Sequence, residues 1–147
     1  MANNFSKGRY FRSQFLLSNC ASSAVLRATV NFGASGAPTI ASITLPDNVT
    51  VIKTGMGIAS IVRSSAGVYV ITLDRPFTNL MAVNSTSVRT DGSAPAAPSM
   101  YIKAINVADP VTPSITIVLN AGGVATDPSN GESLLLEIVL NNSSLGY

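Results

Sequence analysis

Histidine and tryptophan are absent from the 147 residues, and cysteine occurs once, at position 20. Without histidine, the usual Ser-His-Asp and Cys-His nucleophile arrangements cannot be assembled. The seven carboxylates are scattered and follow no ligand spacing, so neither a metal nor another cofactor is expected. A lone Cys20 excludes an intrachain disulfide framework and is read as a small, half-buried residue. Charge is also scarce: Asp, Glu, Lys and Arg make up 11% of the chain, where about 25% is typical. No apolar run approaches the ~18 residues needed for a spanning helix. Arg12, Ser13 and Gln14 interrupt the apolar residues that a secretory signal would keep continuous. These absences predict a protein folding in a reducing cytoplasm, with no membrane partner and no enzymatic activity. The sequons at Asn48, Asn84, Asn141 and Asn142 are then coincidences of an Asn/Ser/Thr-rich chain.

Two weak chemical readings can be weighed. Asp74 with Glu137 could in principle form a paired-carboxylate site, but an Asp74–Arg75 pair or a turn cap is the simpler account of Asp74. Gly55-Met56-Gly57 and Gly122-Gly123 lack the strand, loop and helix context of phosphate-binding motifs and read as turns.

The remaining residues are rich in β signals. Gly55–Leu80 carries the strongest one: Ile58–Val62 and Val68–Leu73 are apolar runs separated by Arg63-Ser64-Ser65-Ala66-Gly67, an antiparallel hairpin pattern. Tyr69, Ile71 and Leu73 share one side of the second run. Arg63 at the tip is expected to face solvent, or else a neighbouring molecule. Ala24–Phe32 alternates with Leu26, Ala28, Val30 and Phe32 on an apolar side. Thr39–Leu45, with Ile43 and Leu45 on one side, and Val49–Ile52 read as strands about a Pro46-Asp47-Asn48 turn. Leu80–Val83 starts a strand running towards Val88. Met100–Val107 alternates, and Ser114–Asn120 directs Ile115, Ile117 and Leu119 inward. Leu134–Leu140 is apolar on both sides, with Leu134, Leu136, Ile138 and Leu140 opposed to Leu135, Glu137 and Val139. Such a strand is either central to the fold or packed against another subunit.

About eight short strands with Gly, Pro, Asn and Asp turns predict an all-β protein, an antiparallel jelly-roll-like β-sandwich with an extended N-terminal arm. Residues 24–147 are expected to form one domain, with Thr90–Ser99 as a long surface loop, because about fifty residues beyond it could not close a separate core. Residues 1–23 form the arm. They hold four of the nine Phe and Tyr residues, and Lys7, Arg9, Arg12 and Arg27 all precede the first acidic residue, Asp47. Phe5, Lys7, Arg9, Tyr10, Phe11, Arg12 and Phe15 are therefore expected to make contacts, with the arm docking on a neighbouring subunit or capsid surface or across its own barrel; Phe11–Leu17 could instead form a short helix. The basic residues are too sparse to predict nucleic-acid binding.

Gly57–Phe77, GIASIVRSSAGVYVITLDRPF, resembles a segment of tailed-bacteriophage structural proteins, among them small capsid decoration proteins and the heads of some tail fibres. LLLEIVLNNSSL resembles the last strand of trimeric, C1q-like β-sandwiches. These resemblances imply a virion protein on the capsid surface, made in the host cytoplasm and often a homotrimer. Its partner would be the major capsid protein, whose subunits a cement protein bridges. Leu135, Glu137 and Val139 would then lie at the trimer interface. The alternative implied is a fibre- or spike-associated adhesion protein that binds a host glycan or receptor through Tyr69, Tyr101 or loop asparagines.

Overall fold

The computed structural model describes residues 23–44 and 51–141. The arm residues before Ser23, the Pro46-Asp47-Asn48 turn, the side-chain directions expected of Ile43 and Leu45, and the last six residues lie outside that description.

Among the described residues, eleven strands follow one another: β1 Ser23–Phe32, β2 Pro38–Ile40, β3 Ser42–Thr44, β4 Val51–Lys53, β5 Ile58–Ser65, β6 Val68–Leu73, β7 Asn79–Val88, β8 Ser99–Asn106, β9 Ser114–Ala121, β10 Val124–Ala125 and β11 Ser133–Asn141. Among the described residues the only helical element is a 3₁₀ turn at Ala34–Gly36, and no helix is long and apolar enough to cross a membrane. All of these strands pair antiparallel. One sheet has the order β2-β1-β11-β7; in the other, β10 and β6 lie on one side of β9, β8 lies on the opposite side, and β5 follows β6. A short β3–β4 hairpin stands apart from both sheets.

Alternation decides how the layers meet, because period-two strands place one side chain set on each face. Leu26, Ala28, Val30 and Phe32 of β1 face inward with Leu134, Leu136, Ile138 and Leu140 of β11. The opposing sheet contributes Tyr69, Ile71 and Leu73 from β6 and Ile115, Ile117 and Leu119 from β9. Phe32 meets Tyr69 edge-to-face across the core, with ring centroids 5.4 Å apart. Each such aliphatic side chain contributes about 1.5–3 kcal/mol by leaving water, so these four strands hold the two sheets together. The final strand is central: β11 lies between β1 and β7.

Several expectations need correction. The hairpin turn is shorter than the polar segment suggested, since β5 continues through Arg63 to Ser65 and only Ala66-Gly67 turns. A register shift between Arg63 and Ser65 lets the polar residues remain in the strand. Thr39–Leu45 is not one strand; it divides at Ala41, whose N–H donates to Thr29 O and so ties the break to β1. The Thr90–Ser99 loop is not wholly superficial, because Ala97 is fully buried in the core.

Candidate functional site

The outward residues of β1, β11 and β7 form a patterned face on the four-stranded sheet. The strand register sets Val25 beside Val139 and Ala82, Arg27 beside Glu137 and Asn84, and Thr29 beside Leu135 and Thr86. Leu135 is 47% exposed, a large value for a leucine in a central strand. The one charged row is self-neutralising: Arg27 Nε donates to Glu137 Oε2 at 2.7 Å. That bond, supported by Asn84 Nδ2, holds the Glu137 carboxyl below the usual carboxylate range. A surface ion pair contributes only about 0–1 kcal/mol to stability, so its larger effect is to leave the face without net charge. Between the β1 and β7 sides a shallow trough of about 400 Å³ runs over β11, with Thr54 and Thr29 on one wall and Asn84 and Thr86 on the other.

Thus Leu135, Glu137 and Val139 do share one face, as alternation required. The sequence did not reveal Arg27 as the partner of Glu137; both interrupt apolar strands at outward positions, but only the antiparallel register brings them together.

A second polar cluster closes one end of the sandwich. Asp127, on the segment between β10 and β11, accepts Arg63 Nε at 2.9 Å and Arg63 Nη2 at 2.6 Å. It also accepts the Gly67 N–H at 2.8 Å and the Tyr69 hydroxyl at 3.1 Å. The Arg63 hydrogen bond leads the effects that depress the Asp127 pKa to about 2. Burial is the main cause that pushes the Tyr69 phenol upward, followed by the nearby Asp127 charge. Gly67 has φ +69°, and a Cβ there would come within 2.4 Å of Thr126 N and 2.6 Å of Leu119 O. The hairpin turn can therefore approach the loop only as glycine. This arrangement fastens two loops to β6; its acid is neutralised, and its phenol is held by Asp127. Arg63 keeps a 34% exposed side chain, as a solvent-facing tip residue would, but its guanidinium is also paired with Asp127 within the chain.

Glu132 is a third unusual group, 1% exposed and missed by the sequence reading. Its Oε2 accepts the Ala96 and Ser129 N–H groups, each at 3.0 Å. Oε1 has no hydrogen-bond partner among the described residues. Glu132 thereby pins the long β7–β8 loop to the approach of β11, assisted by the Ser87 hydroxyl donating to Ala97 O.

Other expected positions separate. Tyr69 is 1% exposed, so it is withdrawn from any surface pocket, whereas Tyr101 is 51% exposed on the outer side of β8. Arg75 lies over the Phe77 ring at 5.4 Å, and the ion pairs among the described residues are Arg27–Glu137, Arg63–Asp127 and Arg89–Asp91. Of the two simple accounts of Asp74, the pair with Arg75 is not among these ion pairs, and Arg75 makes a cation–aromatic contact. No group of three or more Cys, Asp or Glu side chains among the described residues could hold a metal ion. Phe5, Lys7, Arg9, Tyr10, Phe11, Arg12 and Phe15 lie outside the described residues. No family model, curated protein or solved structure matches the chain.

Proposed function

We propose that this chain is a structural assembly subunit, a capsid decoration protein that stabilises a phage head by bridging major capsid subunits. The observation that carries the reading is the outer face of β1, β11 and β7. An exposed central-strand leucine, flanked by valines and threonines and crossed by one neutralised ion pair, suits burial against protein better than binding of a charged metabolite. In this reading Leu135, Glu137 and Val139 pack between copies in a homotrimer. The arm's Lys7, Arg9 and Arg12 meet acidic residues of the capsid surface. The jelly-roll form belongs to the same proposal; it is supported by chain passages between sheets from β6 to β7, from β7 to β8 and from β10 to β11.

The test is co-sedimentation with shells assembled from the major capsid protein of the same phage. The wild-type chain should saturate the shells at a fixed ratio and raise their heat resistance. Removal of residues 2–10 should reduce occupancy while leaving the β-sandwich folded. Unchanged occupancy after that deletion would end the arm's proposed role, and no binding by the wild type would end the decoration reading.

A further inference from the structure

We infer that the outer face of the sheet holding β5, β6, β8 and β9, centred on Tyr101 and Lys103, seats this chain on the major capsid protein. The inference rests on the decoration reading and names the part of the sandwich that meets the shell. Which residues face outward follows from alternation and register. Ile115, Ile117 and Leu119 point into the core, so Thr116 and Val118 point away from it. Tyr101 of β8 stands opposite Val118, and Val118 stands opposite Val68 of β6. In the next outward row Thr116 is opposite Val70, and Val70 is opposite Val62 of β5. Val118 and Val68 are buried, whereas Tyr101 and Val62 on the flanking strands are more than half exposed.

A bulge in β8 sets the charge of this face. The register passes from Ile102 opposite Ile117 to Ala104 opposite Thr116, so Lys103 is the extra residue. It is exposed, one alternation step from Tyr101, and belongs to none of the ion pairs among the described residues. The strands β5, β6, β8 and β9 contain no Asp or Glu. Their other cation, Arg63, is taken by Asp127. The face is therefore an apolar ground with one uncompensated positive charge, unlike the Arg27–Glu137 face, which neutralises itself.

That difference selects the occupant. Two copies of this face pressed together would bury two lysines and no carboxylate, so self-association is disfavoured. A single cation does not track a phosphate backbone. The register neighbour of the Tyr101 ring is a valine, which leaves a sugar's hydroxyls without partners. A protein surface with an apolar socket for Tyr101 and a carboxylate within reach of Lys103 meets both features. Tyrosine suits such an anchor because its ring buries a large area and keeps a polar tip. The two sheets enclose the core between them, so this face and the β1, β11 and β7 face lie on opposite sides of the sandwich. Copies associating through one sheet leave the other free to meet the shell, as a bridging subunit requires.

The experiment measures affinity of the full chain for shells assembled from the major capsid protein. Tyr101→Ala and Lys103→Glu should each weaken binding on the order of tenfold or more, while Lys103→Arg stays near wild type. Val124→Ser, at an exposed position on β10 outside this face, should bind as the wild type does. Thermal melts of all four variants should match the wild type, which separates lost contact from lost fold. Hydroxyl-radical labelling of the wild type needs no variant: Tyr101 should react several-fold less on the shell than in free protein. Wild-type binding with both variants equally tight, or equal labelling of Tyr101 free and bound, overturns this inference and leaves the decoration reading standing. No binding by the wild type ends the decoration reading and this inference with it.

Discussion

At the scale of single residues, the stability of this protein depends on a few carboxylates joined to backbone N–H groups and arginine. Asp127 receives hydrogen bonds from Arg63, Gly67 and Tyr69. Asp127→Ala should lower unfolding free energy by about 2–4 kcal/mol, since it leaves these donors without their acceptor; Asp127→Asn should cost less because one oxygen remains. The pH dependence follows from the depressed pKa, about 2 against an ordinary 3.8. The charged form is favoured by folding, so this contribution is present above about pH 4 and is lost as pH falls towards 2. Urea melts should therefore show the wild-type advantage over Asp127→Asn shrinking across that window. An advantage undiminished at pH 2 would contradict this origin. At Glu132, replacement by Ala deprives the Ala96 and Ser129 N–H groups of one shared acceptor. It should cost about 2–4 kcal/mol in a denaturant melt, whereas Glu132→Gln retains an acceptor oxygen and should cost less.

At the scale of elements, alternation made much of the sandwich legible before any coordinates. Leu26 to Phe32, Ile115 to Leu119 and Leu134 to Leu140 all face the core as their period-two patterns require. The polar stretch Arg63–Ser65 misled, because a partner more than sixty residues away in sequence, Asp127, keeps Arg63 satisfied within a strand. Register is equally nonlocal: nothing near Glu137 in sequence announces Arg27, and nothing near Glu132 announces Ala96. The candidate face was therefore half visible, as the outward residues of one strand without their neighbours. Glycine signals told of turns but not of close approach. Gly67→Ala should cost about 2–3 kcal/mol, from left-handed backbone strain and collision with Thr126 and Leu119. Gly122→Ala, at φ +57° with nothing within 4 Å of the added Cβ, should cost only about 1 kcal/mol. Thermal unfolding of the two variants checks the difference, and equal losses would contradict it.

For the whole molecule, the proposed homotrimer would bury the outer face of the four-stranded sheet between subunits. With 11% charged residues, the chain has little with which to keep an exposed leucine and valine face apart from its copies. Closed symmetry would bury that face in every subunit alike. Leu135 is the position that separates the roles of core and interface, because it lies on a central strand but points away from the core. Leu135→Glu should leave the fold intact and dissociate the assembly. The most direct measurement is light scattering on a sizing column, from dilute to concentrated protein, for the wild type and Leu135→Glu. A homotrimer held by this face should give a wild-type mass three times the 15.2 kDa chain at every concentration, falling to 15.2 kDa in the variant. A wild type that remains at 15.2 kDa throughout, or a variant that keeps the trimer mass, would contradict it.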